Sequence, residues 1–235
     1  MQVEIWSDVM CPFCYIGKRR FEQALNQFPN QENIHITWKS FQLDPNIQHQ
    51  NGKHIDQYLA DAKGMPLAQA KQLNDQVTKM AAEVGLVYRF DLAVVANSFD
   101  AHRFAHLAAK HGLGDDAEEA LFNAYFTEGK DISDHETLTR LGLDIGLDPI
   151  EVQSVLEGEM YADEVHRDIA EAQNLGIRGV PFFVLDRKYA VSGAQPVETF
   201  SGALKQAYAE WSQKEGKPLM DLGDGQVCTP GGECI

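Results

Sequence analysis

The sequence predicts an α/β fold in which a β-α-β unit and a β-β-α unit are separated by a large all-α insertion. Three observations predict it. Short extended apolar runs sit near the two ends of the chain, at Val3-Glu4-Ile5-Trp6, at Ile34 to Phe41 and after Gly179. The long middle, from about His54 to Gln173, carries helical periodicity broken by repeated start and stop signals. A Cys-x-x-Cys stretch, Cys11-Pro12-Phe13-Cys14, lies where the first extended run gives way to the first amphipathic helix.

Val3 to Trp6 reads as the first strand, and Pro12 opens the first helix, a position where its missing N–H is not needed. Ile34-His35-Ile36-Thr37-Trp38-Lys39-Ser40-Phe41 alternates β-branched or aromatic residues with polar ones after a Pro29-Asn30 turn signal, so it reads as a second strand, parallel to the first across a right-handed crossover. In the middle block, Pro66 begins a helix that Gly85 ends. Asn97-Ser98 precedes another that stops at Gly112, and Asp115-Asp116 begins a third that stops at Gly129. Asp134 and Asp148-Pro149 start two more, and the last long helix runs from near Glu159 to Gly176. Gly179 to Asp186 and Tyr189 to Gly193 form a β-hairpin through a short polar link, and a closing helix runs from Pro196 to about Lys214. This order is that of a thioredoxin fold interrupted after its second strand. The expected divisions are 1–53 and 174–214 for the two thioredoxin-fold parts, 54–173 for the helical insertion, and 215–235 for a flexible cysteine-bearing tail.

Composition narrows the function classes. The chain has 235 residues, 44% hydrophobic and 23% charged, which is enough to bury a core. Its formal net charge of -15 argues against sequence-independent binding to nucleic acid or to anionic membranes. No apolar run reaches the length of a membrane span, and Met1-Gln2-Val3-Glu4 carries neither the basic segment nor the apolar core of a secretion signal, so a cytoplasmic protein is expected. In that compartment a dithiol points to catalysis or redox sensing rather than to a permanent staple.

The first cysteine of a Cys-x-x-Cys pair at a helix N-terminus faces unpaired backbone N–H groups and the positive end of the helix dipole, which favour a thiolate. Cys11 is therefore the candidate attacking sulfur, exposed by Pro12 and the helix start. Cys14, one turn later on the same face, sits deeper and takes the resolving role. Lys18, Arg19 and Arg20 follow within two turns; they either raise the potential near Cys11 or form a solvated face. Half of a structural zinc site is the competing reading, but the other cysteines, Cys228 and Cys234, come more than two hundred residues later with a wide spacing. No metal is expected. His102 and His106, four apart on one helical face, lack a convincing third ligand.

Three blocks carry a resemblance to a known family: Ser7-Asp8-Val9-Met10-Cys11-Pro12-Phe13-Cys14-Tyr15-Ile16-Gly17, Asn97-Ser98-Phe99-Asp100-Ala101-His102-Arg103, and Gly176-Ile177-Arg178-Gly179-Val180-Pro181-Phe182-Phe183. In content and order the chain resembles the DsbA-like thioredoxin family, and within it the FrnE-like cytoplasmic branch. The resemblance implies thiol-disulfide oxidoreductase activity on protein or small-molecule thiols and disulfides, with Cys11 and Cys14 as the redox pair. It implies no cofactor beyond that redox-active disulfide, with glutathione as a possible co-substrate. It also implies a cis Val180-Pro181 peptide facing the motif, so that Val180, Pro181, Pro12 and Phe13 line the substrate groove. Asn97 and His102 are the further candidates for substrate contact, although Asn97 or Ser98 can equally serve as a helix cap with Asp100 near the positive end of the helix.

Phe13 differs from the His or Gly-Pro residues of the best-known relatives, so the net redox direction stays open between oxidase, reductase and isomerase. Cys228 and Cys234, in a Gly-rich tail, form a possible secondary redox pair, a structural loop or adventitious thiols. Two other function classes stand beside the leading one. Glutathione-dependent isomerases and transferases share the scaffold but keep a serine where this chain has Cys11, and a holdase chaperone would use an apolar groove without thiol chemistry. The sequence sets neither substrate nor oligomeric state.

Overall fold

The computed structural model describes residues 1–47 and 53–215. Cys228 and Cys234, with the rest of the expected tail beyond residue 215, lie outside the described residues. Strand β1 (Gln2–Ser7) leads into helix α1 (Pro12–Asn26), and strand β2 (His35–Ser40) returns parallel to β1 with Ile5 opposite Trp38. Helices α2 (Ile55–Lys63), α3 (Leu67–Glu83), α4 (Phe99–Lys110), α5 (Gly114–Phe126), α6 (His135–Asp144), α7 (Pro149–Glu157) and α8 (Ala162–Asn174) follow. The chain closes with β3 (Phe182–Leu185), β4 (Tyr189–Ser192) and α9 (Val197–Glu215). The sheet order is β2-β1-β3-β4, with β3 antiparallel to both β1 and β4. The thioredoxin-like α/β fold with an inserted helical block is therefore present, and α2 is the helix that sequence periodicity does not single out.

β1 is central, so both of its faces are covered and its apolar run is nearly continuous rather than alternating. Val3 and Ile5 meet Phe21 of α1, Phe183 and Leu185 of β3, and Phe200 and Leu204 of α9. Trp6 points the other way, against Ala172, Ile177 and Val184, and its indole N–H donates to the Asp168 carbonyl at 3.0 Å. Helix α8, assigned to the insertion by sequence, thus covers the second face of the sheet. Its Asp168 carboxylate also takes hydrogen bonds from Lys39 Nζ at 2.8 Å and the Ser40 N–H at 3.0 Å, fastening β2 to α8.

Asp134 and Asp148 cap α6 and α7 by accepting from the N–H groups of Thr137 and Ile150. The three-residue link between β3 and β4 turns on Asp186 and Arg187, both left-handed with φ of 49° and 54°, and the Lys188 N–H closes the turn on the Leu185 carbonyl at 3.0 Å. Arg187 is held there by ion pairs to Glu4 and Glu171. Helices α3 to α7 enclose a second core that reaches back to Cys14, Tyr15 and Ile16 of α1. The Cys-bearing helix therefore lies between the sheet and the helical block.

Candidate active site

Cys11 is the N-cap of α1, in extended conformation, with Pro12 at the first helical position. No side chain caps this end; the Cys11 N–H donates to the Asp8 carbonyl and the Cys14 N–H to the Cys11 carbonyl, each at 2.9 Å, and Pro12 has none to give. Cys14 follows one turn on, and both are free thiols. The Val180-Pro181 peptide is cis. The loop before β3 sets the Val180 carbonyl beside the motif, where it accepts from Cys11 Sγ at 3.5 Å.

Both sulfurs are buried, Cys11 at 3% and Cys14 at 1% exposure. The expectation of an exposed Cys11 is therefore corrected. The segment between α3 and α4 reaches over the motif: the Tyr88 hydroxyl donates to the Pro12 carbonyl at 2.7 Å, and its ring stacks on Tyr15 and Phe126. Phe13, by contrast, is 38% exposed and forms the open rim. Burial pushes the Cys14 thiol well above its ordinary range, and the neighbouring Cys11 sulfur adds to the shift. Cys14 is thus held protonated until the pair reacts.

The basic run after the motif is paired within the protein rather than forming a freely solvated face. Lys18 is buried on the α5 side, where Glu22, Asp115 and Glu119 surround its ammonium. Burial works against that charge, but the three carboxylates outweigh it and raise the Lys18 pKa. Arg19 lies over the Tyr15 ring and pairs with Glu22 and Glu119, while Arg20 donates to the Ala194 carbonyl at 2.6 Å. These cations join α1 to α5 and to the segment after β4.

Asn97 and His102 act on the connection that follows β2. Asn97 Oδ1 accepts from the Phe99 N–H at 2.9 Å, in the turn that leads into α4, and from Gln42 Nε2 at 3.1 Å. Its Nδ2 donates to the carbonyls of Pro45 and Ile47. His102 is 2% exposed, with Nε2 at 2.9 Å from the Phe41 carbonyl and 3.6 Å from Asp8 Oδ1. Burial opposes its charge, yet Asp8 raises its pKa overall. His102 is therefore enclosed rather than facing open solvent. His106 is turned to Ser40 Oγ and Asp168 instead, and the described residues hold no cluster of three or more metal-ligating side chains.

Sequence reasoning did not find the residues behind the pair. Asp8 accepts from the N–H groups of Met10 at 3.3 Å and Leu43 at 2.7 Å, and its carbonyl accepts from the Cys11 N–H at 2.9 Å. Tyr88 had no local signal, since it lies between helices. Glu118 sits inside an acidic run that resembles a solvated face, yet it is 3% exposed. The available signal was its spacing of four and seven from Phe122 and Tyr125, which puts it on their inward stripe.

The model of the DSBA-like thioredoxin domain matches residues 2–205. The chain belongs to the DSBA-like thioredoxin domain family. Among solved structures, a probable DsbA oxidoreductase of Streptomyces coelicolor is 40% identical, covers 100% of this chain and 98% of its own, and superimposes with a TM-score of 0.86. The cytosolic disulfide reductase DsbM of Pseudomonas aeruginosa, solved with GSH, is 18% identical over 92% of this chain and 99% of its own, with a TM-score of 0.62. A 2-hydroxychromene-2-carboxylate isomerase is 15% identical over 91% of this chain and 99% of its own, with a TM-score of 0.66. At those identities the last two share the fold alone. As a family, DSBA-like proteins are thiol oxidoreductases, and this chain is one of them. No helix among the described residues is long and apolar enough to cross a membrane.

Proposed function

We propose that this DSBA-like protein exchanges disulfides with protein or small-molecule substrates through Cys11 and Cys14, with glutathione as a co-substrate in a cytoplasmic setting. The observation that carries the reading is the position of Cys11: an N-cap sulfur with Cys14 one turn behind it and the Val180 carbonyl 3.5 Å in front. The Cys11 thiolate attacks one sulfur of a substrate disulfide, forming a mixed disulfide and releasing the other sulfur as a thiolate that takes up a proton. Cys14 then loses its proton and attacks Cys11; the substrate sulfur leaves and is protonated. The substrate disulfide is reduced by two electrons and the Cys pair is oxidised by two. Run backwards, the same steps oxidise a dithiol. The carbonyl and N–H of Val180 offer an extended peptide strand-like hydrogen bonds beside Cys11, and Phe13 supplies an apolar rim.

The test compares glutathione-coupled turnover of a disulfide substrate in the wild type, Cys11→Ser and Cys14→Ser. Cys11→Ser abolishes turnover, and Cys14→Ser accumulates a mixed disulfide visible by mass spectrometry. Turnover that survives loss of Cys14, with tight glutathione binding, would replace this reading with glutathione-dependent isomerase or transferase chemistry. Aggregation suppression that persists after both thiols are alkylated, with no turnover, would replace it with a holdase.

A further inference from the structure

The Pro12 carbonyl and the Phe13 N–H are the two ends of one peptide group, set between the two cysteines. The Tyr88 hydroxyl donates to that carbonyl at 2.7 Å. At the other end, the Phe13 N–H takes no hydrogen bond among the described residues, whereas those of Cys11 and Cys14 go to the Asp8 and Cys11 carbonyls. Phe13 is the second helical residue after the N-cap, the position whose N–H an N-cap side chain accepts from. As a thiol, Cys11 Sγ does not take that bond; it donates to the Val180 carbonyl at 3.5 Å instead. As a thiolate it has no proton to give and becomes an acceptor, and the Phe13 N–H is the donor that the cap geometry offers it. Tyr88 is a fixed partner for the far end of this peptide. Its ring stacks on Phe126 at 4.6 Å and on Tyr15 at 6.2 Å. The Arg89 N–H donates to the Phe126 carbonyl at 2.7 Å and the Thr127 hydroxyl to the Val87 carbonyl at 2.9 Å, so both chain neighbours of Tyr88 are moored at the end of α5.

We propose that Tyr88 is a positioning residue for the attack step: by donating to the Pro12 carbonyl it orients and polarises the Pro12-Phe13 peptide so that the Phe13 N–H holds the Cys11 thiolate. The inference rests on the Cys11/Cys14 exchange reading and specifies its first step. When Cys11 Sγ gives its proton to solvent, the sulfur exchanges donation to Val180 for acceptance from Phe13. The bonds from Tyr88 to Pro12 and from Phe13 to Cys11 then run head to tail through one peptide, and each strengthens the other. The Tyr88 hydroxyl acts through that peptide and bonds to neither the sulfur nor the substrate. The titratable groups near Cys11 are Cys14 on α1, Asp8 in the turn before it and Tyr88 on the segment between α3 and α4, while the loop before β3 presents the neutral Val180 carbonyl. Burial raises the Tyr88 pKa above that of a free tyrosine, and Cys11, Tyr15 and Cys14 add to the shift against Arg19, so the hydroxyl stays a donor while the thiol titrates.

The experiment compares reduced wild type with Tyr88→Phe, following iodoacetamide alkylation at the Cys11 peptide by mass spectrometry between about pH 4 and 10. In Tyr88→Phe the rate at neutral pH falls roughly two- to fourfold, the midpoint of the profile moves up by the matching ~0.3 to 0.6 pH unit, and the two rates meet at high pH, where the thiolate is complete in both. An unchanged profile or a faster reaction would overturn the assignment, as would a rate altered by the same factor at every pH, the mark of changed access to the sulfur. If Tyr88→Phe does not fold, the amide proton of Phe13 in wild type labelled with ¹⁵N-phenylalanine carries the test. A downfield shift that tracks the ionisation of Cys11 supports the assignment, and a signal that stays in place or moves upfield overturns it. Failure of the exchange reading looks different: a wild type that forms no mixed disulfide with oxidised glutathione at Cys11 removes the attack step, and with it the role given to Tyr88 there, whatever the alkylation profiles show.

Discussion

Glu118 lies in the run Asp115-Asp116-Ala117-Glu118-Glu119, where Asp115 and Glu119 pair with Lys18 while Glu118 turns inward. Its folded-state carboxyl, at about 7, stands above the ~4.3 of an unfolded chain. A raised pKa means that the folded protein holds the proton more tightly, so this contribution to stability is complete below the unfolded value and is lost as pH rises toward 7. Denaturant titrations should therefore show Glu118→Gln gaining on the wild type between about pH 4.5 and 7.5, by an amount on the order of 3 kcal/mol. A pH-independent difference would mean that Glu118 ionises freely in the fold. Cys11 and Cys14 were legible from their spacing at a strand-to-helix turn, and the Val180-Pro181 pair from the family resemblance. The sequence hid the inward turn of Glu118 and the enclosure of His102, because burial of a polar side chain depends on which neighbouring element arrives.

At the scale of elements, α1 comes closest to the loop before β3 at Gly17. A Cβ there would lie 2.9 Å from Pro181 Cγ and 3.5 Å from Phe183 Cζ, so only hydrogen fits without displacing the loop. Gly17→Ala adds about 1 kcal/mol of helix propensity. Overpacking takes away about 1–3 kcal/mol, and the clash wins because Pro181 is itself buried. The expected result is a lower Tm together with lower turnover, since the displaced loop carries the Val180 carbonyl away from Cys11; higher stability with unchanged turnover would show that the loop yields freely. Asp168 plays the comparable part between β2 and α8. Burial opposes its ionisation, but His106, Lys39 and the Ser40 N–H hold its carboxyl below the usual range. That stabilisation is present above the unfolded pKa and is lost as pH falls through the lowered value. Asp168→Asn should cost about 3 kcal/mol near neutrality and less in acid, read from unfolding at several pH values. Element order and most helix bounds were legible, because caps and stops such as Asp134, Asp148 and Gly176 are local signals. The placement of α8 on the sheet was not, because its apolar face looks the same whichever partner it meets.

For the whole molecule, the helical block is locked onto α1 by an aromatic stack and an ionic cluster. Tyr15 of α1 stacks on Phe122 at 4.9 Å, Tyr88 and Phe126 continue the stack, and Phe90 meets both of those rings edge-on. Lys18 and Arg19 add their carboxylate partners on α5. Removing Phe122 should both destabilise the fold and loosen the seat of the motif. Phe122→Ala is expected to lose about 3–5 kcal/mol in denaturant and to speed alkylation of Cys11 under native conditions. A stability loss with no change in alkylation would show that the block does not shield the thiol.

Cys11 is nearly closed to solvent and lies against a second thiol. A peroxide that reaches the sulfur leaves a sulfenic acid, and the adjacent Cys14 converts it to a disulfide with loss of water before a further oxidant arrives. A solitary cysteine in the same place would climb to the sulfinic and sulfonic acids and stay there. The burial that slows entry and the neighbour that closes the bond together make the pair resistant to irreversible over-oxidation.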